Sequence, residues 1–356
     1  MRFWEKSNHP VRLRFATARH PATLGGELED KMKIYKAVLS VVLGTFILPV
    51  LAEGEDFDPN RWNQTLHDVQ AFAVKSKISP AVINSVIQNA NFVPEVIQRD
   101  RNQPEFKLTA DEYLNRMIND KRVSLGKKMM REHITILDKV EEKYSIPRQL
   151  IIAFWGMESN YGDYKASFDL TDAFLSLIYD GRRGGFFRDQ LISLMKTAEK
   201  SRLDVRKIRG SWAGAMGHFQ FMPSTLEQYG VDGNADGKID IINNKADAIM
   251  SAANFLNKLK FDKSSRVVRE IKLPRGFDFE SAGVKNKKSV DAWSAAGVRG
   301  VDGSPLPKSD MSAGIFAPDG ASGRAWLTYD NFDRIKRWNN SNNYALAVAI
   351  LMERLR

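Results

Sequence analysis

Glu158 ends the apolar stretch RQLIIAFWGMES, and that position bears on what chemistry the chain could perform. On a helix, residues three and four apart share a face, so Glu158 shares one with Trp155 and Phe154. Aromatic packing strips water from a carboxyl group and disfavours its charged form. Such desolvation raises a carboxyl pKa enough to keep a proton available near neutral pH. A protonated carboxyl is what a general acid needs when it hands a proton to a departing oxygen. The same residues also fit a carboxylate standing in water, because acids near a helix C-terminus oppose the dipole and extend outward. The residue pattern leaves both readings open. Asp163, Asp169 and Asp172 lie nearby in sequence, in no spacing that singles one out as a second catalytic carboxylate.

A second cluster could hold a cation. Residues 232–243, DGNADGKIDIIN, carry Asp232, Asn234 and Asp236 at positions one, three and five of an EF-hand-type loop. Gly237 stands at six, Lys238 at seven, where that pattern uses a backbone carbonyl, Ile239 at eight and Asp240 at nine. Position twelve is Asn243 rather than the bidentate glutamate. The expectation is a loose, structural Ca²⁺ site at most, with Ca²⁺ preferred to the smaller Mg²⁺; the alternative is a turn that folds without metal.

The elements that must position these residues are mostly helical. Residues 61–100 read as short helices, one of them opened by Ser79 as N-cap and Pro80 at the first helical position. TADEYLNRMINDKRVSLGKKMMREHITILDKVEEKYSI reads as one or two amphipathic helices, with Gly126 as a break. Ser145 is expected to cap the helix that carries Glu158, with Pro147 in its first turn. That helix is apolar on nearly every face, as a helix at the centre of a domain would be. Further helices are expected over 171–200 and 244–260, and loop over most of 205–243. SRVVREIKLP alternates as a strand does, and 273–329 is rich in Gly, Pro, Asp and Lys, which points to a small β-containing insertion. NYALAVAILMERL forms a closing apolar helix. The fold class is therefore α+β, mainly helical.

The chain of 356 residues, 43% hydrophobic and 27% charged, is long enough for a real core and excludes a polytopic membrane protein or a disordered one. From Met32, two lysines precede an apolar run from Ala37 to Leu51 that ends at small-residue positions Val50 and Ala52. Residues 32–52 therefore read as an export signal cut after Ala52, too short for a membrane span. Residues 1–31 read as an upstream extension outside the fold, with translation starting at Met32. There is no cysteine, which removes disulfides, thiol catalysis and a lipid anchor on cysteine, and points to a soluble protein of a bacterial periplasm. The net charge is +10, or +6 once the first 52 residues and their eight basic and four acidic side chains are gone. Outside the cytoplasm this balance favours a polyanionic envelope partner over nucleic acid.

MESNYG, then about fifty residues later GSWAGAMGHFQFMPSTLEQYGVDGNADGKIDI, then NFDRIKRWNNSNNYALAV, resemble the lytic murein transglycosylase B family. This is glycoside hydrolase family 103 of the lysozyme-like superfamily, and the resemblance runs from about residue 57 to the C-terminus. It implies a lysozyme-like catalytic core over 145–260, an N-terminal helical subdomain over 53–144, a β-containing subdomain over 261–329 and a closing helical stretch over 330–356. It implies that Glu158 is the sole acid and base, cutting the glycan strands of peptidoglycan between N-acetylmuramic acid and N-acetylglucosamine and leaving 1,6-anhydro ends. An internal nucleophile of that kind explains the missing second carboxylate, which a two-carboxylate hydrolase would need at roughly 5–9.5 Å.

By the same resemblance, Ser211 meets the muramoyl acetamide, and Gln220, Asn339 and Tyr344 line the cleft. Arg182 and Arg183 suit lactyl or peptide carboxylates, and Tyr113 contacts a sugar. Some members bind calcium in the loop discussed above; the chemistry requires no cofactor. Two departures stand out. Phe219, in a variable position, could alter the cleft wall, and Trp338 stands where relatives often have tyrosine, with loss of a hydroxyl contact. His218 invites a general-base role that the family mechanism does not require. The partners expected are peptidoglycan strands, with cell-wall synthesis proteins left open, no nucleic acid, no stable membrane anchor and a monomeric state. A hydrolytic muramidase and a non-catalytic wall-binding scaffold are the rivals.

Overall fold

The computed structural model describes residues 57–102 and 108–356; the expected extension 1–31 and export signal 32–52 lie outside them. Three short helices open the fold: α1 (Pro59–Lys75), α2 (Pro80–Gln88) and α3 (Pro94–Arg101). Each starts with proline, whose fixed φ and missing N–H cost nothing in a first turn. Ser79 stands at the N-cap of α2 as expected, but its hydroxyl makes no capping bond; its backbone N–H donates to Glu199 instead.

Where one or two helices were expected there are three: α4 (Ala110–Met117), α5 (Asp120–Glu132) and α6 (Ile134–Tyr144). The chain breaks at Asn119, which caps α5 through its side chain, and at His133, whereas Gly126 lies inside α5. Glycine is needed there for close approach: a Cβ at Gly126 would lie 2.4 Å from the Tyr161 hydroxyl. Ser145 corrects a second expectation. It adopts a left-handed conformation (φ 54°) and closes α6, donating its N–H to the Glu141 carbonyl at 3.1 Å. Pro147 takes the N-cap position of the next helix, α7 (Arg148–Ser159), and the Arg148 N–H is met by the Glu141 carboxylate at 2.9 Å.

Helix α7 is the axis of the molecule. Leu150 through Trp155 are all fully buried, each large side chain among them contributing about 2 kcal/mol from the area removed from water. Around it pack α5, α6 and the closing helix Asn342–Arg354. After α7 the chain forms a two-residue strand β1 (Phe168–Asp169), then α8 (Leu170–Asp180) and α9 (Gly184–Lys200). Strand β2 (Arg209–Gly210) pairs with β1 and starts the loop region, which contains one seven-residue helix, α10 (Pro223–Tyr229). Helix α11 (Lys245–Lys258) ends this part of the fold.

The β-containing part is a five-stranded antiparallel sheet of β3 (Val268–Lys272), β4 (Gly283–Ser289), β5 (Arg299–Gly300), β6 (Ser312–Phe316) and β7 (Ala325–Thr328). Its strand order is β4-β6-β7-β3-β5. A helix, α12 (Val290–Ala295), follows β4 in the chain. This part has its own core of Ile271, Trp293, Val298, Ile315 and Leu327, in which the Trp293 N–H donates to the Ala313 carbonyl at 2.7 Å. Arg324 ties the sheet to α4 by bridging Glu270 and Asp111. Helices α13 (Asp330–Trp338) and α14 (Asn342–Arg354) then return to the main core. The fold is α+β and mainly helical, as the sequence predicts.

Candidate active site

The carboxyl of Glu158 lies inside the protein, with the residue 6% exposed. Its partners come from the far end of the chain. Trp338, the last residue of α13, donates its indole N–H to Glu158 Oε1 at 2.9 Å. Tyr344, in the first turn of α14, donates its hydroxyl to the same oxygen at 2.5 Å. Burial pushes the Glu158 pKa up to about 7, against these two hydrogen bonds, which pull it down. Among the described residues no neighbouring carboxylate contributes to the shift. Tyr113 lies close enough to feel this site: its hydroxyl is pushed up to about 12 by burial first and by the Glu158 charge second.

The aromatic neighbours differ in part from expectation. Phe154 backs the pair at the carboxyl, with its ring centroid 4.5 Å from Trp338 and 6.2 Å from Tyr344. Trp155 is engaged elsewhere: its N–H donates to His218 Nδ1 at 3.2 Å, and its ring lies between His133 and His218. The turn after Glu158 is anchored tightly. Asn160 and Tyr161 are both left-handed, the Tyr161 hydroxyl donates to the Arg122 carbonyl at 2.9 Å, and Ser159 Oγ donates to the His218 carbonyl at 2.6 Å. That turn fixes the end of α7 and hence the direction of the acid.

Ser211 and Gln220 sit on one loop. The Ser211 N–H donates to the Ala215 carbonyl and Ser211 Oγ accepts from the Ala215 N–H, at 2.8 and 3.0 Å, so the serine pins a tight turn. Met216 and Phe221 bridge, and the Phe221 ring packs 5.3 Å from Trp338, which docks this loop beside the carboxyl. Gln220 carries two signs of a functional position. Its backbone is left-handed (φ 49°), and its Oε1 is buried with no hydrogen-bond partner, while Nε2 donates to the Gly217 carbonyl at 2.9 Å. A strained residue that holds an unsatisfied acceptor is costly unless a ligand uses it. Phe219 is 1% exposed and stacks on Trp155, so it belongs to the floor beneath the loop rather than to a cleft wall.

Other residues singled out in the sequence are otherwise occupied. Arg182 and Arg183 both hold Asp100, a carboxylate 2% exposed on α3, and Arg182 adds a bond to the Asp100 carbonyl. No contact brings either guanidinium to Glu158. Asn339 caps the turn between α13 and α14, where its side chain accepts from the Ser341 N–H at 3.2 Å. Asp169 caps α8 and pairs with Arg206 and Arg209; Asp172 pairs with Arg206 and holds Asn91. Asp169 and Asp172 are thus committed elsewhere, while Asp163 is exposed and accepts from Asn160 Nδ2 at 3.4 Å. Burial and the Lys245 charge push His218 down to about 4, and Trp155 already occupies Nδ1, so His218 stands neutral with that nitrogen unavailable as a base.

Residues 232–243 close on themselves. Asp232 accepts the N–H groups of Asp236 and Gly237, and Asp236 accepts that of Lys238. Asn243 turns an N–H donor toward Asp240 Oδ2 at 2.9 Å, where a full EF-hand loop has an acid. Beneath the loop, Asp247 is fully buried and accepts from the N–H groups of Gly233 and Asp240. Among the described residues no three His, Cys, Asp or Glu side chains converge as a cation cluster. The oxygen donors fit a hard cation in kind, though in number they support only weak binding.

The sequence reading missed three residues. Trp338 was read as a lost hydroxyl although an indole N–H is itself a donor. Asp100 gave no local signal, since it acts on residues some eighty positions away, and Asp247 lies just outside the loop pattern that it supports.

The transglycosylase SLT domain family model matches residues 61–353. The membrane-bound lytic murein transglycosylase B of Escherichia coli (strain K12) is 29% identical over 242 residues, which is 66% of this chain and 64% of that protein. SltB3 of Pseudomonas aeruginosa, solved with NAG-NAM-pentapeptide, superposes with a TM-score of 0.80 at 34% identity, over 83% of this chain and 79% of that one. SltB3 has also been solved with NAG-anhNAM-pentapeptide. Slt35 of Escherichia coli, solved with calcium, gives 0.70 at 26% identity, over 85% and 95%. With a lysozyme-like helical core, a buried acid at the end of its central helix and a family match across residues 61–353, this chain belongs to the transglycosylase SLT domain family.

Proposed function

We propose that the protein is a lytic transglycosylase that cleaves the β-1,4 bond between N-acetylmuramic acid and N-acetylglucosamine in peptidoglycan, with Glu158 as acid and then base. The observation that carries this reading is the buried Glu158 carboxyl, raised to about 7, with no second carboxylate contributing to that shift among the described residues. In the first step Glu158 gives its proton to the glycosidic oxygen as the bond to muramoyl C1 breaks. In the second, the carboxylate takes the proton of the muramoyl C6 hydroxyl while O6 bonds to C1. The acid is restored, no water is consumed, and the product is a 1,6-anhydro ring. Effective molarity explains why, with the nucleophile held in the same sugar, no second enzymic carboxylate is needed to attack C1.

Around that centre, Ser211 and Gln220 would take the muramoyl acetamide, with the free Gln220 Oε1 as the acceptor for its N–H. Tyr344, Asn339 and Tyr113 would line the sugar sites. Arg182, whose side chain is half exposed, keeps surface to meet a lactyl or peptide carboxylate, with Arg183 behind it in the Asp100 pair. That SltB3 has been solved with NAG-NAM-pentapeptide and with NAG-anhNAM-pentapeptide supports a peptidoglycan substrate. The apolar run read as an export signal over 32–52 supports a periplasmic site of action.

Any metal would serve the fold rather than the reaction. Asp232, Asn234, Asp236, Asp240 and the Lys238 carbonyl would hold Ca²⁺, with Asn243 as a weak sixth donor. With a Kd of about 1 mM, 10 mM Ca²⁺ stabilises by about 1.4 kcal/mol and raises Tm by a few degrees. Asp232→Ala should abolish that rise; a wild-type Tm indifferent to Ca²⁺ would remove the metal from the account.

The test of the reaction is product analysis. Purified sacculi digested in ¹⁸O-labelled water should yield anhydromuramoyl ends without label. Labelled reducing ends would identify a hydrolytic muramidase, and binding without release of muropeptides would identify a scaffold.

A further inference from the structure

Both hydrogen bonds to the Glu158 carboxyl end on one oxygen, Oε1, and the two donors differ in kind. A phenol hydroxyl can donate or accept, whereas an indole N–H can only donate. The Trp338 ring cannot turn away to bond elsewhere. It is packed against Phe154 at 4.5 Å, Phe255 at 5.0 Å and Phe221 at 5.3 Å, and is buried with the carboxyl. A carboxyl oxygen offers two acceptor sites, and Trp338 and Tyr344 fill both. A proton on Oε1 would displace one donor inside a dry pocket, where a donor without a partner is costly. Among the described residues Oε2 has no such competitor.

Taking Glu158 as the acid and base, we propose that Trp338 is a positioning residue that commits Oε1 as the accepting oxygen and leaves Oε2 to carry the catalytic proton. Oε2 then delivers that proton to the leaving sugar and receives the C6 hydroxyl proton on return. A tyrosine at this position, which the family resemblance leads one to expect, would let its hydroxyl reverse and allow the proton on either oxygen. With tryptophan there, Tyr344 is left as the one hydroxyl at Oε1 that can reverse, which would strand its own proton in the dry pocket, and the reactive proton is favoured on Oε2.

The test is a comparison of Trp338→Phe, Trp338→Tyr and Tyr344→Phe on soluble glycan strands, with folding checked by circular dichroism. Wild-type activity should fall as pH rises through about 7. Trp338→Phe keeps an aromatic ring and loses the donor. Its kcat should drop about tenfold with KM within about twofold, and its descending limb should move up by about one pH unit, because the anionic carboxylate has lost a hydrogen bond. Trp338→Tyr should lie between wild type and Trp338→Phe in kcat. Tyr344→Phe should lose less kcat than Trp338→Phe, since the donor that fixes the proton remains. A folded Trp338→Phe with wild-type kcat and an unmoved limb overturns the proposal. Should that variant not fold, Trp338→Tyr carries the test, and wild-type kcat in it has the same force. Glu158→Gln, assayed alongside, separates the two claims. If it is inactive the reading of Glu158 stands whatever Trp338 does, and if it is active that reading falls first.

Discussion

Glu158→Gln should lower turnover on peptidoglycan by about 10³- to 10⁴-fold, because one side chain supplies the proton in both steps and glutamine can neither give nor take it. Substrate affinity should change little, since glutamine is nearly isosteric and its amide oxygen can still accept from Trp338 and Tyr344. The same variant should be more stable than wild type, in a pH-dependent way. The folded protein holds the Glu158 proton up to about 7, whereas the unfolded chain releases it near 4.5. Between those values the folded state binds more protons, so wild-type stability falls as pH rises through the window. The glutamine variant has no such titration. Its lead should be absent below about pH 4.5, grow through the window and level off above 7 at about 3 kcal/mol, the free energy of the shift. Chemical denaturation of both proteins at pH 4 and pH 8, together with turnover on sacculi, checks both halves of this expectation. Loss of activity without any gain in stability would mean that the carboxyl is charged at little cost.

Asp100→Ala should destabilise the protein by about 3 kcal/mol, the lower end of the range for breaking a buried ion pair, because Arg182 keeps half its side chain in water. The carboxylate is almost wholly enclosed and receives both Arg182 and Arg183, and the variant would leave Arg183 nearly buried without its counter-charge. The pair joins α3 to the turn between α8 and α9, so the loss should loosen the N-terminal helices from the core. Equilibrium unfolding in urea measures it. Removing Arg182 instead should cost less, because Asp100 keeps Arg183; the effect of Arg182→Ala on KM would then report any contact with wall carboxylates.

The parts of this molecule legible in the sequence are those set by local pattern. RQLIIAFWGMES announces a buried helix because every face is apolar, and the structure buries Leu150 through Trp155 completely. The alternation in SRVVREIKLP gives a strand, and the composition of 273–329 gives the sheet around it. Local chemistry misled where two roles share one residue type. Ser145 has the side chain of an N-cap, yet it closes the preceding helix, because Pro147 takes the start of the next one. Gly126 looks like a break and is instead the space into which Tyr161 fits.

The candidate site was half legible for a related reason. Periodicity says which face of a helix a side chain occupies and nothing of what meets that face from 180 residues away. Glu158 was identifiable as an acid on an aromatic face, but its hydrogen-bonding partners, Trp338 and Tyr344, come from helices at the far end of the chain. Tyr344 entered through family resemblance, and Trp338 was discounted because a missing hydroxyl was weighed without the indole N–H that replaces it. The arginine pair likewise has a partner that no local pattern announces, Asp100 on α3.

The central claim is that Glu158 is protonated at neutral pH because burial outweighs two hydrogen bonds. ¹³C NMR of protein labelled at the glutamate carboxyl carbons reads this directly, with Glu158→Gln identifying the resonance. The account predicts that the Glu158 signal titrates with a midpoint near 7. A midpoint near 4.5, with every glutamate charged at neutral pH, would contradict it.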